Sequence, residues 1–481
     1  MRQGRHLREL RSGGRHSGSL RHATAGVLSA LLLLVSSATA SAQDEGAAAP
    51  FPVPGPTTAP PETEEEAAEE ERRVRPFFLP EPSLTERLLP DASPDLGSSV
   101  LFPPSALEGV RRPTGLLRVG NFAISPSVEI AAAYDDNVSA SDADREDDVT
   151  GNLGASVQAN SLFERHSLGF GVSASIGNPH RNFDGNTTDR ISFASRADGR
   201  IDLSRHNSLT GEARFTRGAQ NPEEQEAGAE DEPTVFGAAG AVGYDHQFER
   251  LSFQVAGGIN RTEADDGDNA AEQDRTTYTV SPGVNYQVSR RLSLFAEPGY
   301  ARNDYDVARE GGSRDSQAIR ADVGAGLELG RTFAARIGVG YIAVFFEDSE
   351  RDDYQSPALI AALNGAISLD RLTVLNLGLN HSTDLTTAQD AALVARTRFS
   401  TSINRLLTPA SAILARVTLI RDDFVDEGST DHDIIAQLAY SHTLVRNIAL
   451  NVGYRFSKRF SDTDENEFYR NIVSVGLSAS F

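Results

Sequence analysis

The chain of 481 residues contains no cysteine and no tryptophan, and its single methionine is Met1. With no cysteine there is no disulfide framework, no thiol nucleophile and no cysteine metal site. Long hydrophobic runs are missing too. Beyond the N-terminal region no segment approaches the roughly 18 continuous apolar residues of a membrane-spanning helix, so an exported chain of this kind is either periplasmic or a barrel. Positive charge is in deficit, with 45 Lys and Arg against 68 Asp and Glu and a net charge of -23, which argues against a nucleic-acid partner. Histidines such as His180, His206, His381, His432 and His442 stand singly, with no nucleophile motif beside them. Asp431-His432-Asp433 is the one candidate rim cluster, set against the plainer reading of a hydrated loop exit. No catalytic residue, cofactor or metal is therefore expected.

At the N-terminus, Arg2, Arg5, Arg8, Arg11, Arg15 and Arg21 precede an apolar stretch from Ala25 to Val35 and then Ala40-Ser41-Ala42. This pattern predicts a secretory signal peptide over residues 1–42. An apolar stretch of that length covers about half a bilayer as a helix, so a transmembrane anchor is the weaker reading. Removing these residues takes away six arginines and Glu9, which moves the net charge from -23 to -28. From residue 43 to about 120 the composition shifts to Pro, Ala and Glu, with an acidic run from Glu62 to Glu71 followed by Arg72, Arg73 and Arg75. A disordered periplasmic arm is expected there, with Phe77, Phe78 and Leu79 as a possible docking point for a partner.

From residue 121 to 481 the sequence alternates. Tyr278, Val280, Pro282, Val284, Tyr286 and Val288 oppose Thr277, Thr279, Ser281, Gly283, Asn285 and Gln287. The same parity recurs from Phe333 to Phe345, from Ile448 to Phe456, and in the last strand, where Val473, Val475, Leu477, Ala479 and Phe481 oppose Ser474, Gly476, Ser478 and Ser480. Such strands have one apolar and one polar face. The register around Val374 and Leu414 is less clean. Short basic turns at Arg165, Arg205, Arg250, Arg290 with Arg291, Arg331, Arg371, Arg405 and Arg446 recur about every 40 residues and alternate with long, mostly acidic loops. Each interval holds two long strands, which is a repeated β-hairpin.

The pattern predicts an all-β fold, a transmembrane antiparallel up-and-down β-barrel of about 18 strands, with 16 possible. A β-propeller fits four short strands into a similar period, and a soluble β-solenoid is a second alternative. In a barrel the apolar parity meets lipid and the last strand, ending on Phe481, closes the cylinder. The polar parity then lines the lumen with Arg196, Arg200, Arg214, Arg336, Arg396, Arg398, Arg416 and Arg455, and with Glu129, Asp198, Asp202, Glu212, Glu297, Asp322 and Glu328. These charges either bias which solutes pass or neutralise one another across neighbouring strands, and both readings stand at this point. Gly324, Gly326, Gly338 and Gly340 predict a bare wall patch on which an inserted loop or the arm could rest. Tyr134, Tyr244, Tyr286, Tyr300, Tyr341 and Tyr454, with Phe193 and Phe215, are candidates for an interfacial girdle. Asp265, Asp266 and Asp268, or Asp462 and Asp464, lack the spacing of an EF-hand and are read as solvated loops.

Pro126-Ser127-Val128, then Tyr134-Asp135-Asp136-Asn137, the run of acidic hairpins and the terminal strand ending in Phe481 resemble the second of the β-barrel porin families of Gram-negative outer membranes. The resemblance covers about residues 124–481. It implies an outer-membrane barrel, a generally unassigned solute, a link of some members to exopolysaccharide export, and no catalytic residue. The expected function is a passive channel for small hydrophilic solutes, with an exopolysaccharide export barrel or a non-conducting structural barrel as alternatives. Expected partners are outer-membrane lipid, lipopolysaccharide and the barrel-assembly machinery; the strand pattern does not specify an oligomeric state.

Overall fold

The computed structural model describes residues 117–481 apart from 143–144, 178–189, 220–233, 266–273, 308–312, 331, 349–351, 386–392, 425–427 and 463–465. The expected signal peptide and the arm up to residue 116 lie outside the described residues, as do most of the long loops. Residues 117–119, at the end of the expected arm, form a short strand instead.

Among the described residues nineteen strands follow one another in chain order: β1 Leu117–Val119, β2 Phe122–Asp135, β3 Asp148–Ser161, β4 Ser167–Gly177, β5 Arg190–Asp202, β6 Asn207–Ala219, β7 Thr234–Gln247, β8 Leu251–Asp265, β9 Arg275–Ser289, β10 Leu292–Tyr305, β11 Ser316–Leu329, β12 Phe333–Phe346, β13 Tyr354–Ser368, β14 Thr373–Leu385, β15 Leu393–Thr408, β16 Ser411–Phe424, β17 Thr430–Val445, β18 Ile448–Ser461 and β19 Phe468–Ser480. Each of β2 to β19 pairs antiparallel with the next, and β19 pairs back onto β2 from Ile472 opposite Asp135 to Ser480 opposite Ser127. Eighteen long strands thus close into one barrel. The small β1 folds back on β2 at Gly120, whose φ of 58° suits glycine. Beside it the Phe481 N–H donates to the Pro126 carbonyl at 3.0 Å.

Closure follows from the strands themselves. β2 to β19 run from 11 to 16 residues, more than a tilted span of the hydrocarbon needs, and their alternation makes one face oily and the other polar. On the outer face stand Ile130, Val149, Val339, Val473, Val475 and Leu477, all exposed on the barrel surface. The inner face carries the buried polar residues, among them Glu212, Asp322, Asn451 and Ser474. Alternation is blurred where the inner face is also apolar. Leu414 and Ala439 pack together there, and Val374 opposes Asn404 on the same parity, which is why the sequence around Val374 and Leu414 has no clean period.

Two expectations are corrected. Arg405 is not in a turn; it lies within β15, opposite Thr373 and Ile413, and the turn falls at Pro409-Ala410. Proline has no N–H for a ladder and sets its own φ, while the Thr408 hydroxyl accepts from the Ala410 N–H at 3.2 Å. The glycine patch is not bare. Phe295 of β10 lies on it, and a Cβ at Gly324 or Gly338 would approach the ring tip to 2.5 and 2.9 Å.

At the closing seam the Tyr134–Asn137 segment is a clasp. Arg470 of β19 holds Asp135 of β2 through Nε at 2.9 Å and Nη2 at 2.5 Å, and both residues are buried. The Asn471 side chain donates to Asp136 at 2.8 Å, which also takes Arg145 at 2.9 Å. Asn137, fully buried, donates to the carbonyls of Tyr469 at 2.8 Å and Ser141 at 3.0 Å. Arg145 covers the Tyr469 ring at 3.6 Å. These contacts fix the register of strands that are distant in sequence.

Val339→Arg, at the middle of β12 on the outer face, is expected to cost about 2–4 kcal/mol of barrel stability in lipid. Arg470→Met, which leaves Asp135 buried without its cation, is expected to cost about 3 kcal/mol. Urea titration of the folded, gel-shifted fraction in lipid vesicles measures both. Stability within about 0.5 kcal/mol of the parent would contradict the assignment of faces or of the clasp.

Candidate lumen of the barrel

The register carries the inner parity from strand to strand. Gly171 opposes Arg196, Arg196 opposes Arg214, and Arg214 opposes Ala239. Further round, Gly326 opposes Arg336, Asn380 opposes Arg398, Ser402 opposes Arg416 and Gln437 opposes Arg455. Glu129 opposes Ser478, Asp198 opposes Glu212, Arg200 and Asp202 follow on β5, Glu297 opposes Asp322, Glu328 opposes Ala334, and Arg396 opposes Asp422. All the charged residues expected in the lumen therefore share this parity. The apolar residues of the last strand share the other, with Val473, Val475, Leu477 and Ala479 opposite Tyr134, Ala132, Ile130 and Val128.

Many of these charges are paired within the barrel. Alternation puts residues two apart on one face, and four pairs use that spacing: Arg196 with Asp198 at 3.3 Å, Arg200 with Asp202 at 2.9 Å, Arg214 with Glu212 at 3.8 Å, and Arg320 with Asp322 at 2.5 Å. Others cross strands. Arg396 grips Asp422 with two bonds of 2.8 Å, and Arg459 grips Asp433 at 2.8 and 3.1 Å. Arg336 reaches across β11 to Glu297 at 2.5 Å while its guanidinium stacks over Phe295 at 3.7 Å. Bidentate geometry of this kind holds an arginine at a fixed angle.

Arg320, Asp422, Asp433, Arg459 and Arg470 were not foreseen from the sequence as inward residues. The signal was present, since Arg320 and Asp322, or Arg455 and Arg459, share a parity. Phe295 had no such signal, because an aromatic on the polar parity is recognisable only once the glycines it covers are seen across β11 and β12.

A cavity of about 1970 Å³ runs along the wall from β5 to β14. It reaches from Arg205, Arg250 and Arg290 at the short turns, past Glu297, Phe295 and Arg336, to Thr277 and Asn303 near the long connections. At that upper end the inner wall turns apolar, where Leu393 packs with Ala318, Ile342 and Val344. On the outer face four tyrosines near the long connections donate across to a neighbour: Tyr134 to Asp147 at 3.3 Å, Tyr300 to Gln317 at 3.3 Å, Tyr341 to Gln355 at 2.8 Å and Tyr454 to Asn471 at 2.8 Å. An apolar ring with a satisfied hydroxyl suits the boundary between lipid and water.

Two rim carboxylates outside the spans are shifted. The Arg261 guanidinium, bonded to Asp306, holds that carboxyl below its usual range, whereas burial pushes Asp274 up. A lowered carboxylate keeps its partner above the ordinary carboxylate range and loses it only as the pH falls below that range. The Arg261–Asp306 link is thus intact at neutral pH. Among the described residues no group of three His, Cys, Asp or Glu side chains could hold a metal. Asp266, Asp268 and Asp464 lie outside the described residues. Alternation separates Asp431-His432-Asp433: Asp431 accepts from Ser461 at 2.6 Å and Asp433 is held by Arg459, whereas His432 takes the opposite parity.

A closed antiparallel barrel, oily outside and charged within, is an outer-membrane protein of Gram-negative type. Over residues 112–481 the chain matches the family described as "Putative beta-barrel porin 2", and it belongs to that family. Among solved structures it is similar to the outer membrane protein OpdK of Pseudomonas aeruginosa, with 12% identity over 76% of this chain and 100% of that one and a TM-score of 0.40. OccK2 (OpdF) of the same organism shows 13% identity over 76% and 99%, with a TM-score of 0.41. A BenF-like porin of Pseudomonas fluorescens Pf-5 shows 13% identity over 76% and 100%, with a TM-score of 0.41. No curated protein matches the chain.

Phe295→Ala is expected to cost about 3 kcal/mol, because the glycines beneath the ring leave a hole that nothing fills. In single-channel recording the same variant is expected to conduct more than the parent. An unchanged stability and an unchanged current would contradict the position of the ring against the wall.

Proposed function

We propose that the barrel is a passive channel for small hydrophilic solutes. The single observation behind this reading is the inner face from β5 to β14: Arg200 and Arg336, with Asp202, Glu297, Asp322 and Glu328, border a cavity that extends along the wall between the short turns and the long connections. Water and ions enter such a space readily, and the low-dielectric lipid outside concentrates the field of the wall charges on whatever passes.

In this reading Arg196, Arg200, Arg214, Arg336, Arg396, Arg398, Arg416 and Arg455, with Glu129, Asp198, Asp202, Glu212, Glu297, Asp322 and Glu328, are the pore-lining residues. Those held in ion pairs stiffen the wall and set its width. The protein performs no bond-making step, so it needs neither a nucleophile nor a cofactor. Residues 1–42 direct export and residues 43–116 remain on the periplasmic side. The barrel-assembly machinery inserts the barrel through the last strand, where Val473, Val475, Leu477, Ala479 and Phe481 present the apolar face.

Planar-bilayer recording on the purified mature protein tests the proposal. Discrete conductance steps that scale with salt concentration are expected. A correctly folded, heat-modifiable barrel that carries no current at any salt would refute the channel and leave a structural barrel.

A further inference from the structure

The short turns repeat one spacing. An exposed apolar residue stands two positions before the arginine in Phe163 to Arg165, Leu203 to Arg205, Phe248 to Arg250, Val288 to Arg290, Leu369 to Arg371 and Leu444 to Arg446. These apolar residues continue the outward parity of their strands: Leu203 follows Ile201, Val288 follows Tyr286, and Phe248 extends the row that includes Val242. The last oily position of each hairpin is thus followed at once by a cation at its tip. The opposite rim is built otherwise, with Tyr134, Tyr300, Tyr341 and Tyr454 on its outer face beside mostly acidic connections.

From β3 to β10 four consecutive turns form a continuous arc. The Asp202 N–H donates to Nδ1 of His166 at 3.2 Å, the Gln247 N–H to the His206 carbonyl at 2.7 Å, and the Gln287 N–H to the Arg250 carbonyl at 2.7 Å. Each turn is thereby tied to the next hairpin, and adjacent tips stand two strand spacings, about 10 Å, apart. The tips carry Arg165, Arg205, Arg250, Arg290 and Arg291 against Glu164 and Glu249. Among the described residues none of these five arginines has an ion-pair partner, whereas Arg200, farther up the wall, is already held by Asp202. The tips border the mouth of the cavity as well, so they meet water on the lumen side and the membrane surface on the other.

We propose that this arc is a docking rim for anionic phospholipid, with the apolar residue of each turn against the acyl chains and the tip arginines on the headgroup phosphates. Two observations carry the choice of partner. The apolar half of the rim is continuous with the lipid-facing belt of the barrel, so the tips lie where hydrocarbon gives way to headgroups. The charge is complementary, because a chain of net charge -23 gathers five cations against two carboxylates on this arc. Short turns of such barrels face the periplasm, where the leaflet is phospholipid. A guanidinium meets a phosphate through two-point bonds, which fixes the headgroup as well as attracting it. The docking does not require current and stands apart from the channel reading.

The test mixes the folded mature barrel in detergent with equal amounts of phosphatidylglycerol and phosphatidylcholine of the same acyl chains and counts the lipids retained by native mass spectrometry. The wild type is expected to retain phosphatidylglycerol in preference. That preference should fall about tenfold or more in R205Q/R250Q/R290Q, be largely kept in R205K/R250K/R290K, whose charge is unchanged, and be unaffected by R196Q, which removes a cation from the lumen. A heat-modifiable gel shift reports the folding of each variant. Should the glutamine variant fail to fold, the wild type in rising ammonium acetate must lose the preference, and a preference indifferent to salt would count against the arc. Equal retention of both lipids by the wild type, or an undiminished preference in folded R205Q/R250Q/R290Q, overturns the docking rim. A lipid A that displaces phosphatidylglycerol from these arginines would overturn the choice of phospholipid.

Discussion

Lipid offers no partner to a peptide N–H or C=O, and each such group left open in hydrocarbon costs several kcal/mol. A strand in a membrane is therefore tolerable only if the sheet has no edge. Everything else in this barrel follows from that requirement. The eighteen long strands pair in sequence, the last returns to the first long one, and further backbone groups at the seam are met by the Phe481 N–H on the Pro126 carbonyl, the Asp136 N–H on the Asn471 carbonyl and the Asn471 N–H on the Asp136 carboxylate. Once the cylinder is closed, alternation assigns every side chain to oil or to water. The low mean hydropathy of -0.34 is then no obstacle to membrane residence, because half of each strand faces an aqueous interior.

The interior meets a second constraint. A charged wall in a narrow water-filled space needs its groups held apart from the path of the solute or aimed at it. Residues two apart on a strand, such as Arg200 and Asp202, satisfy one another along the wall, while Arg396 and Asp422 do so across it. Phe295 adds stiffness of another kind. It fills the hollow over Gly324 and Gly338 and supports the Arg336 guanidinium, which in turn reaches Glu297. From β15 to β19 the acids gather at the rim, where Arg396 holds Asp422 and Arg459 holds Asp433.

The architecture was legible in the sequence because its signal is a period of two sustained over long strands. Val473 to Phe481, Tyr278 to Val288 and Phe333 to Phe345 each specify a face without help from a neighbour. The turns were legible where a basic residue marks them, and failed at Arg405 because proline, not arginine, determines where the chain reverses. Contacts between distant strands were not legible. Phe295 sits on glycines that are near it only through the register of β10, β11 and β12. Asp135, Asp136 and Asn137 were legible as a family resemblance, but their work as a clasp appears only when β19 lies beside β2. Arg320, Asp422 and Asp433 belong between these cases: their parity was readable, while their partners were not.

The closing seam is the most direct place to test the account. The chain has no cysteine, so a pair introduced at Ala132 and Val475, or at Ile130 and Leu477, reports on that seam without background. In the folded barrel, mild oxidation is expected to form an intramolecular disulfide in at least one pair, seen as a reducible gel shift of the monomer. A pair across β18 and β19 that forms its bond while neither seam pair does would contradict a closed cylinder.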